Sequence, residues 1–290
     1  MRRKRRIAKK KWIWISFLFP SLCGVFLFYV LPFGDVVRRS FLTAVSGTFV
    51  GLENYRTVFH NQAFLLAAKN TARFAACCLP LLIGLGLFTA VLITGNKKFK
   101  TFKIVYLLPM AIPSATVVLV WKMIFDKAGL LNGILTRAAQ TFHFSHVFST
   151  DYMNTEAAFW VLVASYIWKN LGYTVTLWMA GLLSVPGEMK EAAAVDGASK
   201  PQIFLYVVFP QLLPTLYTIT VLSFLNSFKV FREAYLVAGS YPQDSIYLLQ
   251  HLFNNWFVDL SLDKMAAAAV VTGAVMMAAI LLLQRLWEGK

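Results

Sequence analysis

The sequence predicts an all-α integral membrane protein with six transmembrane helices and a long cytoplasmic loop after the fourth. Three observations carry this expectation. The 290 residues are 58% hydrophobic and only 14% charged, with a mean hydropathy of +0.62, against about 45–50% and about 25% in soluble domains. Six windows hold the roughly 20 apolar residues that a hydrocarbon core about 30 Å thick requires. The 28 Lys and Arg residues are unevenly spread, eight of them in the first 11 positions, directly before an apolar run. This balance excludes a disordered chain, a nucleic-acid-binding globule and almost any soluble enzyme. The net charge of +15 belongs to membrane flanks rather than to an acidic partner.

The elements follow in order. Residues 1–11 form a basic tail ahead of the first window, 12–34. That window is read as a retained helix, because its apolar stretch is too long for a signal peptide. No small-x-small cleavage site ends it, and Leu31-Pro32-Phe33-Gly34 follows instead. An outer segment, 35–70, leads to windows at 71–94 and 104–125. An outer loop, 126–156, precedes the fourth window, 157–183, and a cytoplasmic loop, 184–210, the fifth, 211–236. The outer loop 237–263 and the window 264–286 complete the chain. Lys229 and Arg232 lie in the second half of the fifth window. With the N-terminus inside, the inner segments hold sixteen basic residues and the outer ones eight, Arg232 counted among the outer. Both termini are therefore expected in the cytoplasm, since translocation of Lys and Arg is resisted.

Cys23, Cys77 and Cys78 all fall in windows and read as small buried apolar residues. His143 and His146 sit three apart in an outer loop without a third ligand in view. The chain contains no Gly-rich phosphate loop, nucleophile elbow or H-E-x-x-H. It is therefore expected to bind no nucleotide, cofactor or metal itself.

The loop 184–210 reads as two short helices across a glycine hinge. Pro186 stops the fourth span, since it donates no backbone hydrogen bond. Glu188 and Glu191 suit the positive N-terminal end of the next helix, and Ala192, Ala193 and Ala194 are strong helix formers with little bulk. Gly197 permits a sharp turn. A second helix, roughly 201–209, ends before Pro210. On helix physics alone this is either an amphipathic connector or a cytoplasmic docking element.

The order of residues makes the choice. Glu191-Ala192-Ala193, Asp196-Gly197 and, nine residues on, Val207-x-Phe209-Pro210 closely resemble the EAA loop of ABC-importer permeases. Val207 and Phe209 stand where the family has Ile and Leu. Phe49-Val-Gly-Leu-Glu-Asn-Tyr55, Tyr106-Leu-Leu-Pro109, Gly129-Leu-Leu-Asn132 and Ala180-Gly181-Leu182 resemble phrases of the carbohydrate-type subfamily. A single permease domain over about 67–286 is implied. One departure is Val237-Ala-Gly-Ser-Tyr-Pro242, where many relatives carry Thr-x-Gly-Gly-Pro.

The resemblance implies a permease subunit of a binding-protein-dependent sugar importer in the bacterial inner membrane. Its implied partners are a second, homologous permease, a cytoplasmic ATPase dimer that uses ATP-Mg, and an extracytoplasmic solute-binding protein. Glu191, Ala192, Ala193, Asp196, Gly197 and Pro210 would couple to the ATPase through a coupling helix. The span pairs would then alternate between inward-open and outward-open states. For the sugar path, Tyr166, Asn170 and Tyr173 share one helical face, and Ser223, Asn226 and Ser227 recur at helical spacing. Such residues either hydrogen-bond a sugar or join helices to one another. Lys169, near mid-span, is a seventh candidate for that path and stands either in a water-filled cavity or in an ion-coupled pathway. Lys122, Arg73 and Lys229 are placed near span ends, where they can snorkel. Two other readings remain at this stage. A stand-alone secondary transporter would show an internal inverted repeat, and a membrane enzyme would cluster His, Asp or Glu at one face. An importer of a non-sugar polar solute, such as a glycerol phosphate, is the nearest variant of the main reading.

The orientation makes a direct prediction. A cysteine placed at Lys98 or Lys190 should react with a membrane-impermeant thiol reagent only from the cytoplasmic side, and labelling from outside would overturn the topology.

Overall fold

Length and apolar content dictate helices here, because in lipid every backbone N–H and C=O must be paired within its own segment. The computed structural model describes residues 18–95, 103–143 and 147–288, and these are helical throughout apart from connecting turns. The basic tail, Lys97, Lys98, Lys100, His146 and Lys290 lie outside the described residues. The chain divides into two compact units, residues 1–61 with 255–278, and residues 62–254 with 279–290.

In the smaller unit, α1 (Leu18–Arg39) continues five residues past the expected end of the first window. Asp35 accepts from Arg38 at 2.9 Å and from Arg39 at 2.6 Å, a charged collar on its last turn. The chain then reverses through an antiparallel bridge between Leu42 and Phe49 and enters α2 (Glu53–His60). The Gly-Leu-Glu-Asn-Tyr phrase has a structural role in this turn. Gly51 adopts φ +58, where a side chain would be strained. The buried Asn54 amide donates to the carbonyls of Ser40 at 3.0 Å and Leu42 at 2.8 Å. The Tyr55 hydroxyl meets the Ser40 hydroxyl at 2.7 Å.

The larger unit is built on α3 (Gln62–Gly95) and α7 (Ala158–Ser184). The α3 helix begins nine residues before the expected window. Its buried positions, Phe64, Ala67, Asn70, Phe74, Cys78, Leu82, Gly86, Ala90 and Ile93, step by three or four and form one stripe. The third window, expected as one span over 104–125, is two helices, α4 (Lys103–Ala111) and α5 (Ser114–Phe125). Pro113 causes the break, since it cannot donate to the helical ladder and holds Ile112 away from helical geometry. After α6 (Leu130–Thr141) the chain returns to α7. Asn132 folds that connection, donating to the carbonyls of Asp126, Lys127 and Thr150. The elements α8 (Gly187–Val195), α9 (Lys200–Gln211), α10 (Leu213–Ala238), α11 (Leu249–Val258) and α12 (Leu262–Glu288) follow.

Among the described residues three helices, α1, α3 and α12, are individually long and apolar enough to cross a membrane, and α9 and α10 meet the same test only as a pair bent by 64°. The 27 residues of α7 span about 40 Å, which suffices in length. Its apolar run is interrupted by Ser165, Lys169, Asn170 and Thr174, so its partners rather than lipid must surround it.

Glycine sets how closely those partners come. A Cβ on Gly86 would lie 2.5 Å from Thr174 Cγ2, and one on Gly181 2.6 Å from Thr215 Oγ1. Small residues at such crossings let membrane helices approach to backbone distance. The fully buried Trp178 fills the space beside Gly86, and its Nε1–H donates to the Ile83 carbonyl at 3.1 Å. We expect Gly86→Val and Gly181→Val each to cost about 1–3 kcal/mol through overpacking, read as a lowered melting midpoint in detergent. Gly84→Val, on the same helix as Gly86 but facing open space, should leave the midpoint nearly unchanged.

Candidate functional site

Each polar residue of the middle of α7 finds a partner on another helix or on its own turn. Ser165 accepts from Trp121 Nε1 of α5 at 2.8 Å. The Tyr166 hydroxyl donates to the Ser223 carbonyl of α10 at 2.7 Å, and the Tyr173 hydroxyl meets the Ser223 hydroxyl at 2.7 Å. Thr174 and Thr176 donate to carbonyls one turn earlier.

Lys169 is the centre of the site. Its ammonium contacts Glu233 Oε1 of α10 at 2.5 Å and donates to Ser114 Oγ of α5 at 2.9 Å. The Ser114 hydroxyl donates to the same Glu233 oxygen at 2.8 Å. The three groups close a ring of hydrogen bonds that ties α5, α7 and α10 together. The Glu233 side chain is 8% exposed and that of Lys169 22%. Isolated, either charge would be costly at this depth; paired and hydrogen-bonded, each offsets the other.

The ring forms one wall of a cavity of about 220 Å³. Lys169, Asn170, Asn226, Lys229 and Arg232 also line it. A wider, more open space of about 580 Å³ shares Ser114, Lys169 and Arg232. Lys229 and Arg232 therefore line the same cavity as Lys169, on either side of the junction between the 3₁₀ turn Phe228–Val230 and the helical stretch Phe231–Ala238.

Of the seven residues proposed for a sugar path, Tyr166, Lys169, Asn170 and Asn226 line this cavity. Tyr173 and Ser223 are bonded to one another, and the buried Ser227 donates to the Phe224 carbonyl. Sequence reasoning missed Glu233. Its signal was available: it is the one Asp or Glu within any of the six windows, and an acid at that depth calls for a cation to meet it. Arg73 is not simply extended to an interface either. Its guanidinium lies 4.3 Å over the Phe159 ring and lines a second cavity with Glu156 and Asp244.

The loop 184–210 has its own geometry. Val185 and Pro186 are extended and separate α7 from α8. At the end of α8, Gly197 adopts φ +84. Its N–H donates to the Ala194 carbonyl at 3.1 Å, and the Ala198 N–H donates to the Ala193 carbonyl at 3.0 Å. This paired closure is the Schellman arrangement, which needs a left-handed residue at that position. Glu191, Ala192 and Asp196 are exposed, Ala193 is half-buried, and no residue of α8 is buried. Gln202 accepts from the Ser199 N–H and hydroxyl and starts α9. A π-helical turn, Phe204–Val208, then leads to the exposed Pro210. Among the described residues no three His, Cys, Asp or Glu side chains gather as a metal site would require.

Comparison with known proteins places this geometry. Residues 82–288 match the family model of the binding-protein-dependent transport system inner membrane component. The probable ABC transporter permease protein YesP of Bacillus subtilis is 28% identical, over 88% of this chain and 84% of that protein. The probable ABC transporter permease protein PH1215 of Pyrococcus horikoshii is 28% identical over 94% of each chain. The sn-glycerol-3-phosphate transport system permease protein UgpA of Salmonella typhimurium is 27% identical, over 93% of this chain and 92% of that one. In fold, the chain matches one from the crystal structure of a bacterial ABC transporter involved in the import of the acidic polysaccharide alginate. The TM-score is 0.81 at 18% identity, covering 99% of this chain and 98% of that one.

The ion pair can be tested as a pair. Glu233→Gln and Lys169→Met should each lower stability by about 1–3 kcal/mol by leaving a partner unmatched. The double variant should be less destabilised than the sum of the two, measured as melting midpoints in one detergent.

Proposed function

The chain belongs to the family of binding-protein-dependent transport system inner membrane components, and from that premise we propose that it is a permease subunit of an ABC importer for sugars or oligosaccharides. In this reading all six windows cross the membrane, the third and fifth as broken spans, with both termini in the cytoplasm. The chain forms half of the translocation pathway, and a second, homologous permease forms the other half. An extracytoplasmic binding protein delivers the solute, and a cytoplasmic ATPase dimer supplies the energy of ATP-Mg hydrolysis. The names of the relatives, which are permease proteins of ABC and solute transport systems, support the assignment.

The observation that carries the coupling role is the surface of the loop. The α8 helix presents no buried residue, and Val195 and Tyr206 around it are 87% and 78% exposed. Exposed apolar residues on both sides of the Gly197 turn are the kind of surface that another protein covers. Glu191, Ala192, Ala193, Asp196, Gly197 and Pro210 form the EAA-type motif on and beside this surface. Gly197 allows the turn that ends α8, because an L residue at φ +84 would be strained. When the ATPase dimer closes, motion of α8 is transmitted through α9 to α10, which is held to α7 and α5 by the Lys169–Glu233–Ser114 ring. The helices rock between inward-open and outward-open arrangements, and no covalent chemistry occurs in the pore.

Two measurements test this. Purification of the tagged chain from its native membrane should bring down a second permease and an ATPase; a chain that purifies alone and transports in liposomes would refute the reading. Gly197→Val should insert normally and retain the second permease but lose ATP-driven uptake, and full uptake by that variant would remove the loop from the coupling role.

A further inference from the structure

We propose that the cavity beside Lys169 accepts an anionic solute, a saccharide or polyol bearing a carboxylate or a phosphate monoester, with Arg232 and Lys229 holding the anionic group. This rests on the permease reading and specifies its substrate class.

Cations outnumber carboxylates around the cavity. Lys169, Lys229 and Arg232 line the cavity, and Glu233 is the one carboxylate among its lining residues. That carboxylate is already engaged, since its Oε1 receives both Lys169 and Ser114. Lys229 has only the neutral Asn226 Oδ1, at 2.8 Å. Arg232 has no hydrogen-bond or ion-pair partner among the described residues. Both side chains are exposed to the space they line. Two positive charges therefore face a cavity level with the middle of α7 and lack any protein anion to neutralise them.

Depth turns this surplus into recognition. Charges within a bilayer are costly unless they are paired or solvated, and a cavity with low-dielectric walls focuses their field and concentrates anions. Arginine presents a planar fork that matches two oxygens of a carboxylate or phosphate, and lysine adds a point charge beside it. The remaining lining suits the polyol part. Asn170 and Asn226 offer amide groups to sugar hydroxyls.

A neutral sugar would call for a different wall, with an aromatic face against its C–H surface. The one aromatic residue among those lining the cavity is Tyr166, which is 3% exposed. Its ring packs edge-on against Phe74 and its hydroxyl is committed to Ser223. The cavity itself is rich in cations and poor in stacking surfaces, the aromatic residues Phe231 and Tyr235 lining the adjoining wider space instead.

The test uses the intact importer, isolated with its partner subunits and held in lipid nanodiscs without the binding protein, so that the binding protein's own selectivity does not enter. Four probes are compared: a glucuronate-terminated disaccharide, its carboxyl-reduced counterpart, sn-glycerol 3-phosphate, and glycerol. At least one anionic probe should bind roughly tenfold more tightly than its neutral match, and added salt should weaken only that binding. Which anionic probe leads distinguishes a carboxylate from a phosphate ligand. The double variant Lys229→Gln/Arg232→Gln should lose roughly tenfold for the anion and less than about twofold for the neutral probe, and Arg232→Lys should retain most of the affinity. Equal binding of charged and neutral probes, no binding of either anion, or an unchanged affinity in the double variant would overturn the proposal. ATP-driven uptake by the same preparation, with the binding protein restored, reads the permease assignment separately. Uptake without charge preference sinks the anion site alone, whereas uptake independent of ATP sinks the permease reading.

Discussion

A polar group placed at hydrocarbon depth has no water to turn to, and the larger unit is arranged around that constraint. The α7 helix carries Ser165, Tyr166, Lys169, Asn170, Tyr173 and Thr174 within ten residues. Their partners come from both sides of the chain: Trp121 and Ser114 before it, Ser223 and Glu233 after it. Close packing follows from the same need. Gly86 and Gly181 let α3 and α10 approach the backbone of α7, and the short distances make the polar contacts available. Removal of the polar column would leave three helices with little reason to keep one register.

The sequence was most informative where hydrophobic length alone decides. The fourth window, 157–183, differs from α7 by one residue at each end. The glycine hinge at Gly197 is present with the positive φ that the residue type anticipated. Proline and polar residues were harder to read. The third window looked continuous because averaging over twenty residues hides one Pro113. Lys229 and Arg232 were assigned by their distance from the window's end, which takes no account of the cavity they share with Lys169. Glu233 was passed over because a lone acid in a window lowers hydropathy no more than a lysine does. Its meaning appears only when the cation 64 residues earlier is placed opposite it.

The motif phrases outside the spans divide into two physical kinds. Asn54 and Asn132 fold turns, each using one side-chain amide to satisfy two or three carbonyls that the irregular chain leaves unpaired. Gly129 belongs with them, since a Cβ there would meet the Ile124 carbonyl at 2.6 Å. These residues recur in recognisable phrases because the turn needs them, not because a ligand does. The loop 184–210 is the opposite kind. Its internal hydrogen bonds are complete at Ala193, Ala194 and Ser199, and the side chains left over face outward.

The ion pair also bears on how the chain is made. Lys169 is synthesised 64 residues before Glu233. At about 5–20 residues per second the lysine precedes its counter-ion by roughly 3–13 s. A lysine at the centre of an inserting helix costs about 2.5–3.5 kcal/mol, comparable to the gain from several apolar residues. The groups that already exist at that moment are Ser114, Trp121 and the groove at Gly86. In the folded chain α7 packs against helices made before it, and its charge is neutralised by one made after it. The separation of these two residues along the chain means that Ser114, made earlier, is the first of the lysine's two partners to exist.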